Sequence, residues 1–159
     1  TVLVLVPRHP ERFDDVAALI TEKGWPLARR SQGHAIGADT PVYLGDSMGE
    51  LWLWYALADM AFVGGSLAPV GGHNPLEPAR LGVPVVVGPH THNFALIVAA
   101  LAQAGALQQG PTVADVYVAW TQWLEDEQAR QQATQAARAL MERSQGALAR
   151  QLALVDAAR

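Results

Sequence analysis

The chain has 159 residues, half of them hydrophobic and 16% charged, a composition that fits a packed core and argues against disorder. With no cysteine it has no disulfide framework, thiolate zinc site or cysteine nucleophile. Its net charge is −4, and its basic residues are scattered, six before position 81 and five after 129. That excludes a phosphate-tracking nucleic-acid surface, and no apolar run reaches the length that spans a bilayer.

Val2 to Val6 is a continuous run of Val and Leu, as in a strand buried on both faces. It follows Thr1 with no Met and no charged leader, so the chain reads as a piece of a longer protein and not as a signal peptide. Glu11 to Lys23 sets Phe13, Val16, Ala17, Leu19 and Ile20 on one helical stripe, and Gly24 is a stop signal. A weaker strand is predicted from Pro26 to Arg30, then a Gly-containing loop from Ser31 to Asp39. Val42 to Leu44 is a short strand ending at Gly45. Gly49 to Ala58 is apolar all round apart from Glu50, which predicts a buried helix.

Met60 to Val63 is the next strand, and it ends at Gly64-Gly65. Asn74-Pro75 opens a short helix that Gly82 closes. Val83 to Val87 is another buried strand, followed by Gly88-Pro89. Phe94 to Gln103 is helical, Ala106 to Gln108 a final short strand, and Thr112 to Glu125 a helix. Glu127 to Arg159, rich in Ala, Gln and Arg without Pro, predicts a long surface helix or a pair. Trp52, Trp54, Trp120 and Trp123 are spaced like helix packing faces, so core or interdomain contact is expected of them.

Strands alternating with helices predict an α/β fold with a parallel sheet and right-handed crossovers, one domain over residues 1–159 with a helical tail from about 112. Such sheets collect their ligand-binding loops at the carboxyl ends of the strands. No Gly-x-Gly-x-x-Gly follows any strand, which disfavours NAD or FAD. After the first strand, Pro7-Arg8-His9-Pro10-Glu11-Arg12 puts a guanidinium and an imidazole where an anion could meet them; helix entry explains Pro10, Glu11 and Arg12 as well. In Gly45-Asp46-Ser47-Met48-Gly49-Glu50-Leu51, Asp46 or Ser47 can cap the following helix. Equally, Gly49 gives room for a base or sugar, and Glu50 can accept from hydroxyls.

The most informative stretch is Gly64 to Pro78. Its four glycines cost conformational entropy and promise no core packing. Asn74 suits an N-cap and Pro75 the first helical position, and the amides of that helix start predict an anion site, most simply for phosphate. Glu77, one turn in, could hold a ribose diol. Gly88 to Phe94 is expected to border the same cleft. His90-x-His92 has metal-like spacing, but no third ligand is placed by sequence, so no metal and no cofactor are expected.

Taken together these stretches resemble the 3-deoxy-D-manno-octulosonic acid (Kdo) transferases. Gly64-Gly65-Ser66, Gly71 to Ala79, Gly88-Pro89-His90-Thr91 and Asn93-Phe94 carry the resemblance, and Pro7 to Phe13 and Gly45 to Leu51 match in the same order. It spans roughly residues 1 to 105. Ser47 stands where Thr is more usual, a change that keeps the hydroxyl. The resemblance implies the C-terminal, Rossmann-like half of a GT-B glycosyltransferase, whose two domains face across a cleft. It implies transfer of Kdo from CMP-Kdo to a lipid A precursor, in lipopolysaccharide biosynthesis at the cytoplasmic face of the inner membrane of Gram-negative bacteria. By the same likeness Pro7 and Arg8, with His9, border the nucleotide, and Met48, Gly49 and Glu50 line base and sugar. Asn74, Pro75, Leu76 and Glu77 hold phosphate and ribose, with Ser66 close by.

The resemblance implies that the catalytic base is a carboxylate of the N-terminal domain and that the membrane anchor and most of the acceptor site also lie outside this piece, so the piece alone is expected to be inactive. Two other readings use the same loops. One is the donor half of a UDP-sugar GT-B glycosyltransferase or epimerase, separated by preference for uridine over cytidine. The other is a non-catalytic nucleotide-binding module, separated by whether the parent chain has a facing domain with an acidic residue over the cleft.

Overall fold

Alternation of side chains across short strands decides which residues meet in each core. A computed structural model describes the backbone of residues 1–157 and the side chains of residues 1–144. The chain divides into two compact units, one of residues 1–54 and one from Tyr55 onward.

In the first unit, strands β1 (Leu3–Leu5), β2 (Leu27–Arg29) and β3 (Val42–Leu44) pair in parallel in the order β1-β3-β2. Between β1 and β2 run a 3-10 turn, Pro10–Arg12, and helix α1 (Phe13–Glu22). Ala17 and Ile20 of α1 pack with Val42 and Leu44, and with Leu5 and Leu27 beside them. The residues between, Val2, Val4, Val6, Ala28 and Tyr43, form a separate cluster with Trp54. Tyr43 and Trp54 have ring centroids 5.5 Å apart. Period-two alternation thus gives the sheet two apolar faces.

Two expectations change here. β1 is an edge strand, so Leu3 is 41% exposed, and two-sided burial belongs to β3, whose three residues are all buried. A Val/Leu run signals a strand but not its slot in the sheet. Helix α2 (Leu51–Leu57) is not buried all round: Trp54 is its buried residue, while Trp52, Leu53 and Leu57 are exposed.

In the second unit, β4 (Ala61–Phe62), β5 (Val85–Val87) and β6 (Leu107–Gln109) form a parallel sheet in that order. The crossovers carry α3 (Leu76–Arg80) and α4 (Ala95–Gln103), and α5 (Val113–Glu125) and α6 (Glu127–Ala157) follow. Central strand β5 is fully buried. Val85 and Val87 pack with Val63, Ala79, Val98 and Leu101, and Val86 packs with Val116, Ala119 and Trp123. Small residues Ala133 and Ala137 let α6 sit close to both clusters. This is the helix-covered parallel sheet that the strand–helix alternation predicts. Helix α5 begins with a reciprocal cap, in which Thr112 Oγ1 accepts from the Asp115 amide and the Asp115 carboxylate from the Thr112 amide. The tail is one helix, not a pair; the expected end at Arg159 lies outside the described residues. No described helix is long and apolar enough to cross a membrane.

Candidate functional site

Parallel pairing sends the loops after β1, β2 and β3 out of one end of the first sheet. Central β3 places the Gly45–Glu50 loop between Pro7-Arg8-His9 on one side and Arg29-Arg30-Ser31 on the other. Asp46 is the anchor. Its side chain is wholly buried and accepts from Arg29 Nε at 2.6 Å, the Ser31 amide at 2.8 Å and the Ser31 hydroxyl at 2.6 Å. Burial alone would raise its pKa; the Ser31 bonds and then Arg29 outweigh that and hold it below the ordinary aspartate value. Arg29 also reaches Asp14 Oδ1 at 2.8 Å. Asp46 therefore turns to Arg29 at the end of β2 and to Ser31 just after it, and not to the amides of α2.

Ser47 does not serve as a backbone cap either: its hydroxyl donates to Glu50 Oε2. Arg30 grips the same carboxylate with two prongs, Nε to Oε2 at 3.0 Å and Nη2 to Oε1 at 2.7 Å. These bonds, Arg30 first and Ser47 second, bring the Glu50 pKa down to about 2. Glu50 also stands at the start of α2 and not inside its first turn, its carbonyl accepting from the Leu53 and Trp54 amides. Met48 is exposed, and Gly49 has φ +81° with open space where a Cβ would be. Backbone conformation, not a neighbouring group, is what requires glycine there. Pro7 is half-buried, and Arg8 and His9 are exposed. His9 Nδ1 lies 3.6 Å from Glu11 Oε1 and Arg12 Nε 3.5 Å from Asp15 Oδ2, exposed pairs of small energetic weight.

In the second unit the loops after β4, β5 and β6 also share one end of their sheet. Ser66 is fully buried; its hydroxyl donates to Val63 O at 2.7 Å and accepts from the Gly88 amide at 2.9 Å. Its side chain thus ties two loops together. The glycines also pack more than the sequence promised. Gly71, at φ +100°, sits where a Cβ would overlap the Asn93 side chain and lie 2.5 Å from His92 Nε2. The Asn93 amide in turn donates to Gly71 O, and its Nδ2 to Val70 O. Gln109 Nε2 binds Gly88 O, Pro89 O and Thr91 Oγ1, tying the β6 end to the same loops.

Helix α3 begins one residue later than expected, at Leu76, with Pro75 buried at the cap. Asn74 Oδ1 accepts from the Leu76 amide at 3.1 Å, and Asn74 Nδ2 lies 3.4 Å from Glu77 Oε1. Pro75 and Pro78 have no N–H, so at most the Glu77 amide remains for an anion, a poorer set than the sequence suggested. Leu76 and Glu77 are half-buried. Burial, and then the Glu77 charge, push the Tyr55 phenol up to about 12. Among the described residues no group of three or more His, Asp or Glu side chains gathers as a metal set.

Similar proteins agree in kind. A 3-deoxy-D-manno-octulosonic acid transferase of Haemophilus influenzae is 43% identical over 155 residues, 97% of this chain and 36% of that protein. One of Bordetella pertussis is 44% identical over 153 residues, 95% of this chain and 36% of that protein. The crystal structure of the C-terminal CMP-Kdo binding domain of WaaA from Acinetobacter baumannii superposes with a TM-score of 0.83 at 46% identity, covering 88% of this chain and 73% of that one. The chain belongs to the Kdo transferase family. Its fold is the α/β fold of the C-terminal half of a GT-B enzyme. It spans about a third of the length of the curated Kdo transferases it matches. No family model matches it.

Residue-level reading missed Arg29, Arg30 and Ser31, which organise the first unit's loop end, and Tyr55 and Gln109 in the second. A signal was present for the first group. Two consecutive guanidiniums at the carboxyl end of a strand need acceptors, and Asp46 and Glu50 follow the neighbouring strand.

Proposed function

We propose that this chain is the CMP-Kdo-binding part of a Kdo transferase, which moves Kdo from CMP-Kdo to a lipid A precursor in lipopolysaccharide biosynthesis. The observation that carries the reading is the likeness in fold and sequence to a CMP-Kdo binding domain. In the first unit we assign Pro7 and Arg8, with His9, to the nucleotide border, and Met48, Gly49 and Glu50 to base and sugar. In the second, Asn74 and the Glu77 amide serve the phosphate and the Glu77 carboxylate the ribose, while Leu76 supplies an apolar wall. Pro75 and Ser66 act by fixing these loops. The whole chain is taken as one nucleotide-sugar-binding domain, and we assign it no metal or cofactor, so EDTA should leave CMP binding unchanged.

The transfer asks for two kinds of group: a base that takes the acceptor hydroxyl's proton, and positive groups that stabilise the departing phosphate. Arg8 suits the second task. The base, the acceptor contacts and the attachment to the cytoplasmic face of the inner membrane are assigned to the remainder of the full-length protein. The test is a chimaera in which this chain replaces the corresponding third of the Haemophilus influenzae relative. Product from CMP-Kdo and a lipid A precursor is expected with the chimaera and not with this chain alone. Turnover by the chain alone would overturn the division of labour, and a folded but inactive chimaera would count against the donor assignment.

A further inference from the structure

We infer that Arg30 is a positioning residue for ligand selection: it fixes Glu50 with one acceptor direction to spare, and that direction selects a single N–H or O–H donor of the nucleotide. The inference rests on the placement of Glu50 in the donor site proposed above. A carboxylate offers about four lone-pair directions. Oε2 of Glu50 takes Arg30 Nε and the Ser47 hydroxyl, and Oε1 takes Arg30 Nη2. The unspent direction is therefore on Oε1. The Glu50 side chain is 28% exposed and Arg30 42%, so the pair is reachable from solvent, and open space flanks Gly49 beside it. A carboxylate that stays ionised can only accept, so a ligand atom that is itself an acceptor is repelled there. The planar fork of arginine sets direction as well as charge; a lysine in its place would supply charge alone.

Two groups of a cytidine nucleotide have the required chemistry, the exocyclic amine of the base and a sugar hydroxyl. UMP replaces the amine by a carbonyl oxygen, and the 2′-deoxy and 3′-deoxy forms of CMP each lack one hydroxyl. Titration calorimetry of CMP and these three analogues should show one of them binding the unaltered chain about tenfold or more weakly than CMP. Loss with UMP marks the amine, loss with a deoxy nucleotide a hydroxyl. Glu50→Gln and Arg30→Gln should both narrow that gap to about threefold or less. Arg30→Lys should narrow it too, although the charge is kept, and it carries the test if circular dichroism shows Arg30→Gln unfolded. A gap that closes in Glu50→Gln but persists in a folded Arg30 variant overturns the role of Arg30 alone. CMP binding that is stronger than UMP binding, but with no gap of about tenfold to any analogue, overturns the inference and leaves the donor reading standing. No CMP binding at all overturns both.

Discussion

At the scale of single residues, the organising feature of the first unit is a carboxylate that the surrounding chain keeps charged. Asp46 has no exposed side-chain surface, yet three donors meet it within 2.8 Å. Removing it leaves the Arg29 guanidinium with Asp14 alone and takes the acceptor from the Ser31 amide and hydroxyl. Asp46→Ala should cost about 3 kcal/mol of unfolding free energy at neutral pH, the low end of the range for breaking a buried pair because Asp14 still holds Arg29. The sign of the pH dependence follows from the folded pKa lying below the unfolded one. The stabilisation is complete above the ordinary aspartate value and is lost as pH falls through the depressed one. The difference between wild type and variant in urea unfolding should therefore shrink on acidification from pH 5 downward. A difference that stays constant, or is under about 1 kcal/mol at pH 7, would contradict this account of Asp46.

At the scale of elements, the loops of the second unit are built by contact between loops. The entropy spent on Gly71 is offset by letting Asn93 and His92 close over the chain. Gly71→Ala adds positive-φ strain and displaces a side chain, so a loss of about 2 kcal/mol is expected, with amide shifts at Val70, His92 and Asn93. Unchanged stability with unchanged shifts would show that the loops are not locked there. Elements were legible in the sequence where periodicity and punctuation coincide. The α1 stripe closed by Gly24, the β5 run closed by Gly88, and the short helix before Gly82 all lie within a residue or two of expectation. Burial was less legible. A helix apolar on every side reads as buried, but α2 has one turn facing Tyr43 and three large apolar side chains exposed. Composition does not state how many neighbours a helix has.

At the scale of the whole molecule, the fold class was legible because strand and helix patterns alternate everywhere except between β2 and β3, and the family because its loop motifs fall in order after those strands. The site was legible in outline only. Sequence adjacency shows which side chains leave one strand, whereas the Arg29–Asp46 and Arg30–Glu50 pairs join residues 17 and 20 positions apart across neighbouring strands. Only the register of β2 on β3 brings them together. The same register turns Glu50 from an open acceptor into one already gripped on both oxygens. We propose that these loops bind the nucleotide part of CMP-Kdo. This is tested most directly by an NMR titration of the chain with CMP, with UMP as control. Saturable shifts are expected in Arg8, Met48 to Glu50 and Asn74 to Glu77, stronger with CMP than with UMP. Equal or stronger binding of UMP, or CMP shifts confined to other residues, would contradict it.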